Sequence, residues 1–181
     1  MKRAPATQSI LHHWREAVPD DRLAHLVKDA TRALVRALQM RLAAHAVSFG
    51  HWTFLRILWE GDGLTQRELS EQAGVTEPTT FSALKAMERL GYIRRRQHGG
   101  DRKKLYILLT PKGRRLRDHL VPLAEEVNAI AVRGLRKADI AATRNVLLAV
   151  IENLALDEEV ADMRMPSTRA LARLKAGGRK T

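Results

Sequence analysis

A chain of 181 residues with 45% hydrophobic content is long enough to bury one real core. It holds no cysteine, which excludes disulfides, thiolate metal sites and cysteine-based redox sensing and fits a reducing, cytoplasmic setting. Its 32 Lys and Arg against 20 Asp and Glu leave a net charge of +12, an excess that draws polyanions to the surface.

Met1–Ser9 is basic, polar and expected to be disordered. No apolar run of leader length follows it, so no signal peptide is expected. No stretch reaches the ~18 apolar residues that a membrane span needs. Ile10–Val18 reads as a short helix carrying His12, His13 and Trp14. Pro19-Asp20-Asp21 looks like a helix start. Leu23, Leu26, Val27, Ala30, Leu34, Leu38 and Leu42 then recur at three- and four-residue spacing, one apolar stripe on a long helix.

Ser48-Phe49-Gly50 breaks that pattern, and Trp52, Leu55, Leu58 and Trp59 restore it for a short second helix. Gly61-Asp62-Gly63 is a turn. Thr65-Gln66-Arg67-Glu68 is a capping box, so a third helix runs from Thr65 to about Gln72. Gly74 interrupts it. Thr76 is positioned to cap a fourth helix, with Pro78 tolerated in its first turn, ending at Gly91. The period then falls from 3.6 to 2. Tyr92–Gln97 and Lys104–Thr110 read as strands joined by His98-Gly99-Gly100-Asp101. Pro111-Lys112-Gly113 opens a long helix with the stripe Leu116, Leu120, Leu123, Val127 and Ile130, bent at Pro122. A last helix spans roughly Lys137–Leu156, with Ile140, Leu147, Val150, Ile151 and Leu154. The first long helix and the last two are more apolar than a small lone domain needs. They either pack on each other or pair with a second subunit.

The charge is concentrated around the two short helices and the hairpin. Residues 61–115 hold 12 Lys and Arg against 6 Asp and Glu, half of the whole excess. Two short helices about Ala73-Gly74-Val75 have helix-turn-helix proportions, in which the second helix enters the major groove. On a helical wheel Thr80, Ala83, Leu84 and Met87 form its inner side. Pro78, Ser82, Lys85 and Arg89 lie opposite, flanked by Thr79 and Ala86, and Phe81 falls between. Arg94-Arg95-Arg96 and Arg102-Lys103-Lys104 then put six cations around Asp101. Such a hairpin repels itself, and phosphates would relieve the repulsion. Its glycine tip could enter a minor groove.

Gly63-Leu64-Thr65-Gln66-Arg67-Glu68-Leu69-Ser70, Val75 through Gly91-Tyr92-Ile93, Asp101-Arg102-Lys103 and Leu109-Thr110-Pro111-Lys112-Gly113 follow one another in an order and spacing that resembles the MarR family of bacterial regulators. The resemblance covers roughly residues 20–156. It implies a mainly α fold with a small β-hairpin wing, a winged helix-turn-helix with N- and C-terminal dimerisation helices in a triangular homodimer. The implied organisation is an extension over 1–19, dimerisation helices over 20–48 and 111–156, the DNA-binding domain over 49–110 and a basic tail over 157–181.

By the same resemblance, Thr76, Pro78, Thr79, Ser82, Lys85 and Arg89 serve the major groove. Arg94, Arg95, Arg96, Asp101, Arg102 and Lys103 serve the wing. The family's wing pattern is Asp-x-Arg, whereas here the matching position is Lys103 beside Arg102, and lysine is the more strongly hydrated cation. The implied partner is a palindromic double-stranded operator, usually occupied by a repressor. Many such regulators release DNA on binding a phenolic or carboxylate compound, some an acyl-CoA. His45, His51, Trp52 and Arg56 are the candidate effector residues, although Trp52 is also a natural core residue. No cofactor is expected, and the histidines lack metal-ligand spacing. No phosphate loop or nucleophile motif points to an enzyme. The alternative function is an architectural DNA binder without sequence preference, which phosphate contacts alone would drive.

Overall fold

The computed structural model describes residues 6–16, 23–97 and 104–160. They divide into two units, residues 1–131 and 132–181. In the first unit α1 spans Ala6–Glu16 and α2 spans Leu23–Leu42, followed by a 3-10 turn at Ala43–His45. The helix α3 is Phe49–Glu60, α4 is Gln66–Ala73, α5 is Glu77–Arg89 and α6 is Pro111–Ala131. Three strands complete it: β1 Leu64–Thr65, β2 Ile93–Gln97 and β3 Leu105–Leu109. The expected Pro19-Asp20-Asp21 helix start and the hairpin tip, residues 98–103, lie outside the described residues.

Several expectations need correcting. Ala6–Ser9 is helical, so the polar N-terminal segment is not irregular throughout. Phe49 and Gly50 belong to α3, because Ser48 caps it: the Ser48 Oγ accepts the His51 N–H at 3.1 Å. The break before it lies at Ala46, a non-glycine residue in the left-handed region at φ +57°. The strand β1 was not legible, since two residues carry no period. It pairs antiparallel with β3, Leu64 opposite Ile107, and gives the sheet order β1-β3-β2.

The core follows from burying one side of every element. Leu55 and Leu58 of α3, Leu69 of α4, Leu84 and Met87 of α5, Ile93, Ile107 and Leu120 are fully buried. Only the C-terminal end of the α2 stripe joins them, through Leu38 and Leu42, while Leu23, Leu26, Val27 and Leu34 remain exposed. The expected capping box is made in full. Glu68 accepts the Thr65 N–H at 2.7 Å, and the Thr65 hydroxyl accepts the Glu68 N–H at 3.3 Å. The hydrogen bonds from Thr65, with Lys104 nearby, hold the Glu68 carboxyl below its ordinary range. A buried bond joins the two short helices, Ser70 Oγ to Thr80 Oγ1 at 2.8 Å. Gly74 makes the turn between them at φ +63°, which a side chain would oppose.

Asp62 ties three elements together. Its Oδ1 accepts the Gly63 N–H at 3.1 Å and the Leu109 N–H at 2.8 Å, while Oδ2 pairs with Arg114. Asp62→Ala leaves the half-buried Leu109 N–H unpaired at the end of β3. We expect it to lower the unfolding free energy by about 1–3 kcal/mol in a denaturant titration, whereas an unchanged midpoint would deny this knot a structural role.

In the second unit, Arg136 makes a bidentate pair with Asp139 at 2.8 and 2.7 Å in the first turn of α7, Lys137–Val160. Along α7, Val146, Leu147, Leu148, Val150, Ile151, Leu154 and Leu156 are all exposed, Ile151 by 65%. No helix among the described residues is long and apolar enough to cross a membrane.

Candidate nucleic-acid interface

The helix α5 is anchored from beneath. Thr80, Leu84 and Met87 are fully buried, and Ala83 is half-buried, as the wheel indicates. Pro78, Thr79, Ser82, Lys85 and Arg89 are exposed on its other side. Thr76 occupies the N-cap position but makes no side-chain cap, contrary to expectation. A cap accepts from the second or third residue of the helix, and here the second is Pro78, which has no N–H. The Thr76 hydroxyl instead lies 2.9 Å from the Thr79 hydroxyl. Ser82 donates to the Pro78 carbonyl at 3.0 Å, which fixes its rotamer on the outer surface.

The sheet separates the three arginines that the sequence presents as one run. Antiparallel pairing sets Ile93 opposite Leu109, Arg94 opposite Leu108, Arg95 opposite Ile107 and Arg96 opposite Tyr106. Side chains alternate between faces, so Arg95 shares the inner face with buried Ile93 and Ile107. Arg94 and Arg96 point outward and are exposed. Arg95 stacks on Phe81, its guanidinium carbon 5.4 Å from the ring centroid, and its Nε lies 3.3 Å from Glu88 Oε2. Sequence reasoning missed this contact. The alternation that buries Ile93 was the available signal, as was the seven-residue spacing that puts Phe81 and Glu88 on one side of α5. Asp101, Arg102 and Lys103 lie outside the described residues.

The four candidate effector residues do not form one cluster. Trp52 is buried, packs edge-on against Trp59 at 5.6 Å and has the Arg56 guanidinium 6.0 Å from its ring centroid. Trp52 and Arg56 line an open groove of about 920 Å³ together with Phe49, Ile57, Val75 and Ala83. His51 meets Tyr92 edge-on at 6.4 Å, and His45 stacks on His119 at 6.1 Å.

The His51 Nδ1 is buried without a hydrogen-bond partner, and burial lowers the pKa of the ring below its ordinary 6.5. The unfolded chain therefore binds a proton more readily than the folded one. Stability from this residue is complete above about pH 6.5 and is lost as pH falls toward the lowered value. In thermal melts, His51→Gln should shrink the loss of Tm on acidification below that pH; an identical loss would remove His51 as its source.

The MarR family model matches residues 47–105, from the residue before the α3 cap to the first residue of β3. The solved transcriptional regulator PA3341 is 30% identical with a TM-score of 0.66, over 74% of this chain and 98% of that one. The chain belongs to the MarR family. The small three-stranded sheet against mainly helical packing is the winged-helix fold of MarR transcriptional regulators. A MarR family regulator from Listeria monocytogenes, solved with a 26mer DNA, is 24% identical with a TM-score of 0.69, over 81% of this chain and 99% of that one. A Mycobacterium tuberculosis MarR family protein in complex with salicylic acid is 21% identical with a TM-score of 0.60, over 73% of this chain and 98% of that one. At those identities the likeness shows the fold. The HTH-type transcriptional regulator TtmR of Methylorubrum extorquens is 31% identical over 61% of this chain, which spans 57% of that relative's length.

Proposed function

We propose that this MarR family protein is a sequence-specific, double-stranded DNA-binding transcriptional repressor that works as a homodimer in the cytoplasm. The observation that carries the reading is α5. Thr80, Leu84 and Met87 on its inner side are buried in the core, while Pro78, Thr79, Ser82, Lys85 and Arg89 stay exposed. Small and hydroxyl side chains allow close approach to base edges, and the two cations reach phosphates or guanine. Thr76 at the helix start adds a hydroxyl. Arg94 and Arg96 on the outer face of β2, with Asp101, Arg102 and Lys103 from the sequence between β2 and β3, serve the adjacent minor groove. The exposed apolar residues of α2 in the first unit, and separately those of α7 in the second, each serve dimerisation, consistent with the excess apolar surface read from the sequence. Two-fold symmetry then calls for a palindromic operator. The test is titration of the full chain on the duplex upstream of its own gene and on a scrambled duplex, across a salt series. Preference for the upstream duplex with two subunits per site supports the reading; equal affinity for both contradicts it.

The effector in this reading is a small aromatic carboxylate held in the groove between α3 and the helix-turn-helix. Trp52 and Phe49 line the groove with aromatic carbon, and Arg56 offers N–H donors for the acid. Support comes from the salicylic acid complex of the Mycobacterium tuberculosis relative and from the charge and aromatic character of this groove. Salicylate should quench tryptophan fluorescence in a saturable way, and Arg56→Ala should weaken its binding roughly tenfold. Equal quenching of both proteins would move the effector elsewhere.

A further inference from the structure

Taking a guanidinium out of water is costly unless it is paired, and a hairpin rich in like charges adds to that cost. Yet β2 turns Arg95 inward, leaving its side chain only 21% exposed. Its Nε and Nη2 are buried and make no hydrogen bond, so the approach to Glu88 at 3.3 Å is a charge contact without directed geometry. What the guanidinium does have is two supports on one helix. Its central carbon sits over the Phe81 ring, 5.4 Å from the centroid, and Glu88 stands seven residues, about two turns, further along α5.

One rigid, planar group on the strand therefore touches the recognition helix at two points. Phe81 is itself 46% exposed, a large apolar side chain left at the surface of α5 with the guanidinium as its ring partner. Two contacts spaced along one side of a helix resist a change in the angle between strand and helix, which a single contact would not.

We propose that Arg95 is a positioning residue, which holds the wing at a fixed angle to α5 through Phe81 and Glu88 and does not itself contact DNA. This rests on the DNA-binding reading above. The angle matters because the helix and the wing must meet adjacent grooves of one duplex at once. Arg94 and Arg96, from the opposite face of the same strand, remain for the phosphates. The division of labour within the triplet is set by the strand period alone.

Two measurements on the full chain test it. The first needs no DNA: a double-mutant cycle on unfolding, with Phe81→Leu, Arg95→Gln and both together. Coupling is expected, the double variant losing less stability than the sum of the singles. Additivity overturns the clamp. The second is the salt dependence of duplex binding. Deleting one cation that pairs with a phosphate reduces the slope of log affinity against log salt by about 0.9, which Arg94→Ala is expected to show. Arg95→Gln and Phe81→Leu should instead each weaken affinity roughly tenfold with the slope unchanged. A slope reduced by about one in Arg95→Gln makes Arg95 a phosphate ligand and overturns the proposal. If the unsubstituted chain binds no duplex, the DNA-binding reading falls, and the stability cycle still decides whether the clamp exists.

Discussion

Gly113→Ala is expected to lower the unfolding free energy by about 3 kcal/mol or more, or to leave no folded protein. A Cβ on Gly113 would stand 2.0 Å from the Tyr92 carbonyl oxygen, 3.0 Å from its carbon and 3.1 Å from Leu109 Cδ2. The first two are backbone atoms and cannot swing aside. The Tyr92 carbonyl is moreover held in place, accepting from the Thr110 N–H at 3.0 Å and from the Thr110 hydroxyl at 3.2 Å. Thr110 Oγ1 also accepts the Gly113 N–H at 3.0 Å, so Thr110 bridges the first turn of α6 to Tyr92, the residue before β2. On the other side, the Gly113 carbonyl accepts the Trp59 indole N–H at 3.0 Å. A shift of α6 large enough to admit a methyl group breaks these bonds and opens the core at Leu109 and Leu120. Gly50→Ala is the matched control. Gly50 is exposed within α3, and a Cβ there meets only Ser48 Oγ at 3.9 Å. Alanine's higher helix propensity should leave that variant unchanged or stabilised by up to about 1 kcal/mol. Denaturant titrations of both proteins check the pair, and a Gly113→Ala protein as stable as the parent would mean that the close approach of Gly113 to Tyr92 is not there.

The second large effect is on DNA binding. Lys85→Ala with Arg89→Ala removes the two cations that α5 exposes on its outer side. Each interaction with a base edge is worth roughly 1–3 kcal/mol of discrimination, so the double variant should lose about 30-fold or more in affinity for its operator. The salt series separates two modes. Removing phosphate pairs lowers the slope by about 0.9 for each, while removing base-edge interactions leaves the slope and erodes the preference over scrambled duplex. Stability should hold within about 0.5 kcal/mol, because both residues are solvent-exposed. An unaltered affinity would remove this helix face from recognition.

Much of the fold could be read from local chemistry. The Thr65 capping box, the Gly74 turn and the period change after Gly91 are signals carried by a few neighbouring residues, and each element they mark is present. What could not be read depends on partners distant in sequence. The two residues of β1 are a strand only because β3 lies beside them. The Asp62 knot needs Leu109 and Arg114, far along the chain. Thr76 has the chemistry of a cap, but its effect depends on the proline two positions on and on the Thr79 hydroxyl. Charge alone makes the triple arginine uniform, whereas the strand period counted from Ile93 places Arg95 inside. Closeness in sequence does not bring the four effector candidates together. On a helix, His51 and Trp52 point about 100° apart, and only Trp52 shares the groove with Arg56.

The central claim is that this MarR family chain recognises a specific, two-fold symmetric DNA site. Repeated selection of a random duplex pool by the full-length protein tests it most directly. The expected result is enrichment of an inverted repeat whose half-sites lie about one helical turn apart, bound by two subunits and preferred roughly 10³-fold or more over random duplex. A pool that stays random after repeated rounds, while still binding in a steeply salt-dependent way, would contradict it and leave a protein that holds DNA by its phosphates alone.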